Sequence, residues 1–202
     1  QNCLEQIRHS INHCKNNIAV CEKQIKKCSS ASLAILETKK SAFKDNLLIW
    51  NTMGHIQMAS IEMKEYMKRL SVESIDEWEE RDVIKSVYTA IYETSKKLVD
   101  ATADIFKFIK HYFPNYDYRA FTDVRKELCR FRESNTSELT RVRNTIDAHR
   151  DVEVSVQIEV IEGLHLANAV QLIVEYEGII NKLGNETSPI KELGLKRLQA
   201  CF

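Results

Sequence analysis

The sequence predicts an all-α protein, an antiparallel bundle of long helices with a coiled-coil-like N-terminal helix. Three observations lead there. Only five Gly and two Pro occur in 202 residues, too few turn formers for a sandwich or a barrel. Apolar residues recur at threes and fours along most of the chain, the period of a helix with one buried face. Residues 4–28 carry an unbroken heptad seam.

In that seam, position a is Leu4, Ile11, Ile18 and Ile25, and position d is Ile7, Cys14, Cys21 and Cys28. A free Cys behaves as a small hydrophobe, so these thiols read as packing residues. The chain has no short C-x-x-C pair of the kind a structural metal needs. A secreted disulfide framework is the alternative for the six cysteines; reduced thiols in a cytoplasmic protein are the favoured reading. His9 and His13 fall outside the seam and read as surface histidines. The seam needs a partner, either a later helix of the same chain or a second copy.

After a polar pause at 28–32, a long helix is predicted to about Leu70. Its stripe is Leu36, Phe43, Leu47, Trp50, Met53, Met58, Ile61 and Met67. A capping-box pattern at Ser74 and Glu77 opens the next helix. That helix carries Ile84, Val87, Ile91, Leu98, Ile105, Ile109 and Tyr112, and stops at the turn residues of FPNYD, 113–117. A shorter helix follows near 118–132, with Phe121, Val124, Leu128 and Phe131 inward. Asn135 with Glu138 is placed to cap a separate helix beyond it. Residues 152–160 alternate apolar and polar like a strand, yet a lone strand has nothing to pair with. The expectation is a loop after His149 and then helix to about Gly184, with Gly at C′. The tail is predicted as a short helix. The boundaries follow as 1–45, 46–184 and 185–202.

Several function classes drop out. Twenty-nine basic and twenty-nine acidic residues leave no net charge, so any nucleic-acid surface must be local. No apolar run approaches the ~18 residues that span a bilayer. No secretory h-region opens the chain, and the absent initiator Met points to a trimmed chain. No Walker-type loop, G-x-S-x-G or H-E-x-x-H occurs. Glu162 and His165 form one E-x-x-H, where a di-metal bundle needs two plus further Glu. Gly163 beside them reads as a packing residue. Cys129, among Lys126, Arg130 and Arg132, reads as a boundary thiol. No cofactor is implied.

One stretch stands apart. Seven of the eleven Arg fall in residues 119–150, with a single Lys. Arg meets phosphate oxygens in pairs through its planar fork. The alternative is a solvated face paired locally to Asp123, Glu127, Glu133 and Glu138, and composition alone favours it. Leu139, Val142 and Ile146 form a buried stripe at i, i+3, i+7, with Arg143 at its edge. On a straight helix His149 would lie about 120° around the axis and about 9 Å along it from Arg143. The two meet only if the helix changes direction or a second helix end supplies the partner.

The run Arg143-Asn144-Thr145-Ile146-Asp147-Ala148-His149 is similar to the signature of HEPN domains, an Arg and a His with four to six residues between them (five here) and often a polar residue after the Arg. The resemblance covers roughly residues 46–184, and the AHRD at 148–151 agrees with it. It implies a metal-independent endoribonuclease, in the manner of toxins and anti-phage effectors, working as a homodimer with a composite site. Arg143 would bind the scissile phosphate, His149 would move protons, and Asn144 would orient substrate or the His. The product would end in a 2′,3′-cyclic phosphate. Arg141 and Arg150 are placed to track the RNA backbone, which is read from position. An antitoxin would be a separate protein. HEPN relatives that only bind or scaffold are the alternative, as is a plain helical interaction module.

Overall fold

The computed structural model describes residues 2–29, 34–72, 75–148 and 153–201. Among the described residues the periodicity becomes seven α-helices: α1 (Asn2–Ser29), α2 (Ala34–Leu70), α3 (Glu77–Tyr112), α4 (Arg119–Val142), α5 (Val154–Glu162), α6 (Leu166–Thr187) and α7 (Ile190–Gln199). A π-helical segment, Arg143–Ala148, prolongs α4. No strand forms among the described residues.

The core is an antiparallel four-helix bundle of α2, α3, α4 and α6. Cross-contacts give the directions. Lys64 of α2 is ion-paired with Glu177 of α6, while Ile56 of α2 meets Gly184 of α6. Phe131 of α4 stacks on Tyr176 of α6 at 5.3 Å, and Glu127 accepts from Lys182 further along. On α3 the predicted stripe from Ile84 to Ile109 is buried and supplies one wall of this core. Burial of so many Ile, Leu and Val side chains, each worth roughly 1.5–3 kcal/mol, is the main stabilising term.

The heptad seam of α1 finds its partner in α2. Every d residue, Ile7, Cys14, Cys21 and Cys28, is buried, and the a residues are half-buried. Cys14 and Cys21 pack with Trp50 into a second small core, flanked by Ile18, Phe43, Leu47 and Met53. All six cysteines are free thiols. Of the α2 stripe read from the sequence, Phe43, Leu47, Trp50 and Met53 face α1, whereas Met67 packs on the main core. The other face of α2 carries Ile49, Ile56 and Met63 into the main core, and Met58, expected inward, is exposed. A single stripe cannot describe a helix packed on several sides.

Four local expectations are corrected. The cap of α3 is Asp76, whose carboxylate accepts from Trp78 N and Glu79 N; the helix starts at Glu77, so Glu77 cannot serve as the third residue of a box. Ser74 lies outside the described residues. No break separates 118–132 from a later helix: Asn135 sits within α4, its amide donating to Phe131 O at 2.8 Å. Residues 154–162 are helix, and the chain breaks at Gly163–His165 before α6 begins. Gly163 is therefore a turn residue and makes no helix-packing contact. Gly184 does not end a helix; α6 continues to Thr187.

α7 is fastened to the start of α2. Asn46 donates its amide to Ala42 O at 3.0 Å and to Gly194 O at 2.9 Å. Arg197 lies 4.3 Å over the Tyr112 ring and faces Asp45 at 3.7 Å. That gap is too long for a hydrogen bond, and both facing atoms have no other partner. Burial pushes the Asp45 carboxyl above its ordinary range, with the charges of Arg197 and His111 opposing.

Candidate functional site

Arg143 stands where α4 turns from α-helical to π-helical. A π turn inserts a residue into the hydrogen-bond ladder, and such widenings frequently occur at functional sites. Leu139 and Val142 anchor this end of α4 in the core, and they leave Arg143 at the bundle edge. The α-helical repeat ends at Val142, and the π-helical repeat runs from Arg143 to Ala148.

The guanidinium is held on three sides. Its Nε donates to Glu93 Oε1 at 3.3 Å and its NH1 donates to Asn144 Oδ1 at 3.2 Å. The Tyr92 ring lies 5.6 Å from the guanidinium carbon, within range of a cation–π contact. NH2 has no partner among the described residues. The Arg143 and Glu93 side chains keep 34% and 41% of their accessible surface. One amino group of the guanidinium is thus uncommitted among the described residues, and about a third of the side chain stays accessible. Asn144 acts on the arginine as a neighbouring acceptor.

His149 and Arg150 lie outside the described residues. Arg141 is exposed. Among the described residues, none of the expected ion pairs from the arginines to Asp123, Glu127, Glu133 or Glu138 is formed. Asp123 accepts from Lys126, Glu127 from Lys182, and Glu138 from the Tyr88 hydroxyl. Arg119 pairs with Asp117, the turn residue before α4. Arg125 lies over the Phe106 ring with its Nε unpartnered. Arg130 and Arg141 make no ion pair among the described residues. With Ser134 and Ser137 they occupy one exposed line at i, i+4, i+7 and i+11, and about 16 Å of helix separates the two arginines.

Glu93 also lines a groove of about 370 Å³ between α2 and α3, with Glu62, Tyr66, Lys85 and Lys97 among its walls. Burial pushes the Glu62 carboxyl up, with the Lys97 charge opposing. At the neighbouring His55, burial and then Lys97 push the imidazole down. Sequence reading missed Glu93 and Tyr92. They sit fifty residues before their arginine, and nothing in local spacing links them. Arg130 was visible as part of the arginine crowd but not as unpaired.

Glu162 and His165 are both exposed at the α5–α6 break. Among the described residues, no group of three or more His, Cys, Asp or Glu gathers as a metal site, and no helix is long and apolar enough to cross a membrane.

The chain matches no family model, no curated protein and no solved structure.

Proposed function

We propose that the protein is a metal-independent endoribonuclease of HEPN type, acting as a homodimer with a composite site. The observation that carries this reading is Arg143: a part-exposed guanidinium at a π-helical widening, held by Glu93, Asn144 and Tyr92, with one amino group uncommitted among the described residues. Such a group binds a phosphodiester and stabilises the charge that develops on it. A histidine near it suits proton transfer at neutral pH, and His149 is the residue assigned. The 2′-hydroxyl attacks phosphorus, the bond to the 5′ oxygen breaks, and the products are a 2′,3′-cyclic phosphate and a 5′-hydroxyl. Arg141, Arg150 and the unpaired Arg130 are available to the RNA backbone.

The apolar surface of α5 supports a partner copy nearby. Val154 and Ile158, one turn apart on this short helix, are exposed together, while Val156 is exposed on the opposite side. A toxin or anti-phage role, a separate antitoxin and a cytoplasmic location belong to the same reading and rest on the resemblance.

A second reading has one observation in its favour. The Arg143–Glu93 ion pair already neutralises the arginine, as a helical scaffold or a non-catalytic RNA-binding relative would allow. Cleavage of a mixed RNA pool in excess EDTA separates the two. Wild type is expected to cut, while Arg143→Ala and His149→Ala do not. Binding without cleavage by a folded wild type selects the second reading. Equal cutting by all three proteins overturns the site.

A further inference from the structure

A cleft of about 490 Å³ opens between α1, α2 and the corner where α6 meets α7. It shares no residue with the surroundings of Arg143, and a smaller hollow beside His9, His13 and Trp50 continues it. Its size falls in the range of small-molecule sites, roughly 300–1,000 Å³.

The floor is α2. Ser60 is only 6% exposed, yet its hydroxyl lines the cleft and makes no hydrogen bond among the described residues. Its oxygen is not among the fully buried atoms that lack a partner, so it is open to the cleft, where a ligand atom can meet it. Around it Gln57, Ser10, Asn181 and Asn185 also line the cleft, part-buried or exposed and with no side-chain hydrogen bond among the described residues. Met53 and Ile56 supply an apolar strip between them.

The charge is one-sided. Lys191, at the start of α7, lines both the cleft and its extension, and it has no ion-pair partner among the described residues. Lys64 enters from α2, paired with Glu177 behind it. Among the described residues, no Asp or Glu lines either hollow. A lysine ammonium ringed by hydroxyl and amide donors matches a phosphoryl group, which carries about −1.5 to −2 charge and three strong acceptor oxygens. A ligand with a single carboxylate would leave most of these donors unused.

We propose that this cleft binds a phosphorylated small molecule, its phosphate on Lys191 and Ser10 and its polar remainder on Ser60, Gln57 and Asn181. The apolar strip of Met53 and Ile56 accommodates a ring or carbon chain between those two ends. The site is separate from the nuclease reading and does not depend on it.

Isothermal titration calorimetry of the full chain tests it, with adenosine 5′-monophosphate, ribose 5-phosphate and inorganic phosphate as probes. At least one ester is expected to bind more tightly than inorganic phosphate. Lys191→Gln is expected to weaken that binding at least about tenfold, and Ser60→Ala by a smaller factor. Lys107→Gln, an exposed control paired to Asp104, is expected to bind as wild type. RNA cleavage, whatever its level in wild type, should be unchanged in Lys191→Gln. Failure of all three probes to bind overturns the proposal. So does equal binding by Lys191→Gln with wild-type circular dichroism. Inorganic phosphate binding as tightly as the esters would leave an adventitious ion only, and would overturn it as well.

Discussion

Arg143 donates its Nε proton to Glu93 Oε1 at 3.3 Å, across fifty residues of chain. The pair ties the π-helical end of α4 to the middle of α3. It also sets how much positive charge the arginine offers outward.

Glu93→Gln keeps an acceptor for Nε but removes the negative charge. Both partners keep a third or more of their surface, so solvent screens the pair and the stability change should stay below about 1 kcal/mol. Affinity for single-stranded RNA should rise several-fold, most clearly at low salt, as read by fluorescence anisotropy. Arg143→Ala should abolish cleavage, by ~100-fold or more if the arginine stabilises the transition state. Unchanged RNA affinity in Glu93→Gln would separate Arg143 from phosphate binding.

Gly194→Ala tests the fastening of α7. A Cβ there would lie 2.8 Å from Asn46 Oδ1 and 2.9 Å from Ile49 Cδ1. Asn46 cannot retreat without losing its bonds to Ala42 and Gly194. Overpacking of this kind costs about 1–3 kcal/mol, and the helix-propensity gain of Ala over Gly returns up to about 1. The net should be a loss on the order of 1 kcal/mol, or about 2–4 °C in Tm for a chain this size. A rise in Tm would show that the contact relaxes freely.

Tyr176 and Thr94 should respond unequally. The Tyr176 hydroxyl donates to Thr94 Oγ1 at 2.8 Å, and Thr94 donates on to Ala90 O at 2.6 Å. Burial holds the Tyr176 phenol protonated far above its ordinary range. Tyr176→Phe leaves Thr94 still bonded and should cost about 1 kcal/mol. Thr94→Val strands the buried phenol and should cost more, about 1–3 kcal/mol. Urea denaturation of the two variants gives the order, and equal losses would contradict this reading of the network.

His55 contributes a pH dependence with a definite sign. Its folded pKa lies below the ordinary 6.5, by burial first and by Lys97 second. The unfolded chain therefore binds the proton more readily. The stability tied to His55 is present above pH 6.5 and is lost as pH falls through the folded value. Asp45 and Glu62, both raised by burial, run the other way: their contribution is present below the ordinary carboxylate range and lost as pH rises through their folded values. Comparing Tm of His55→Gln and wild type from neutral pH down to about pH 5 isolates the histidine. The variant should lose less on acidification.

The cysteines should divide by reactivity. Cys14, Cys21 and Cys28 are buried on the α1 seam and Cys3 is exposed. Burial also pushes the Cys14 and Cys21 thiols up, which lowers the reactive thiolate. Timed alkylation with mass spectrometry should label Cys3 first and these three last. Early labelling of Cys21 would mean that α1 leaves α2 readily.

The all-helical fold, the α1 seam and the α3 stripe were legible in one dimension. A helix that buries one face repeats its apolar residues every three or four positions, whatever it packs against. The same periodicity could not say that α2 would be buried on several sides, because each neighbour claims a different row of residues. Nor could it find the break before α6, where the apolar pattern runs through the turn. Around the candidate site the Arg143–Asn144 pair was visible as a local motif. Glu93 and Tyr92 were not, and neither were the freed Arg130 or the cleft behind Ser60. Those depend on which helices lie side by side. Ion pairs and cavities form between residues far apart in the chain, and only the packing of the bundle brings them within a few ångströms.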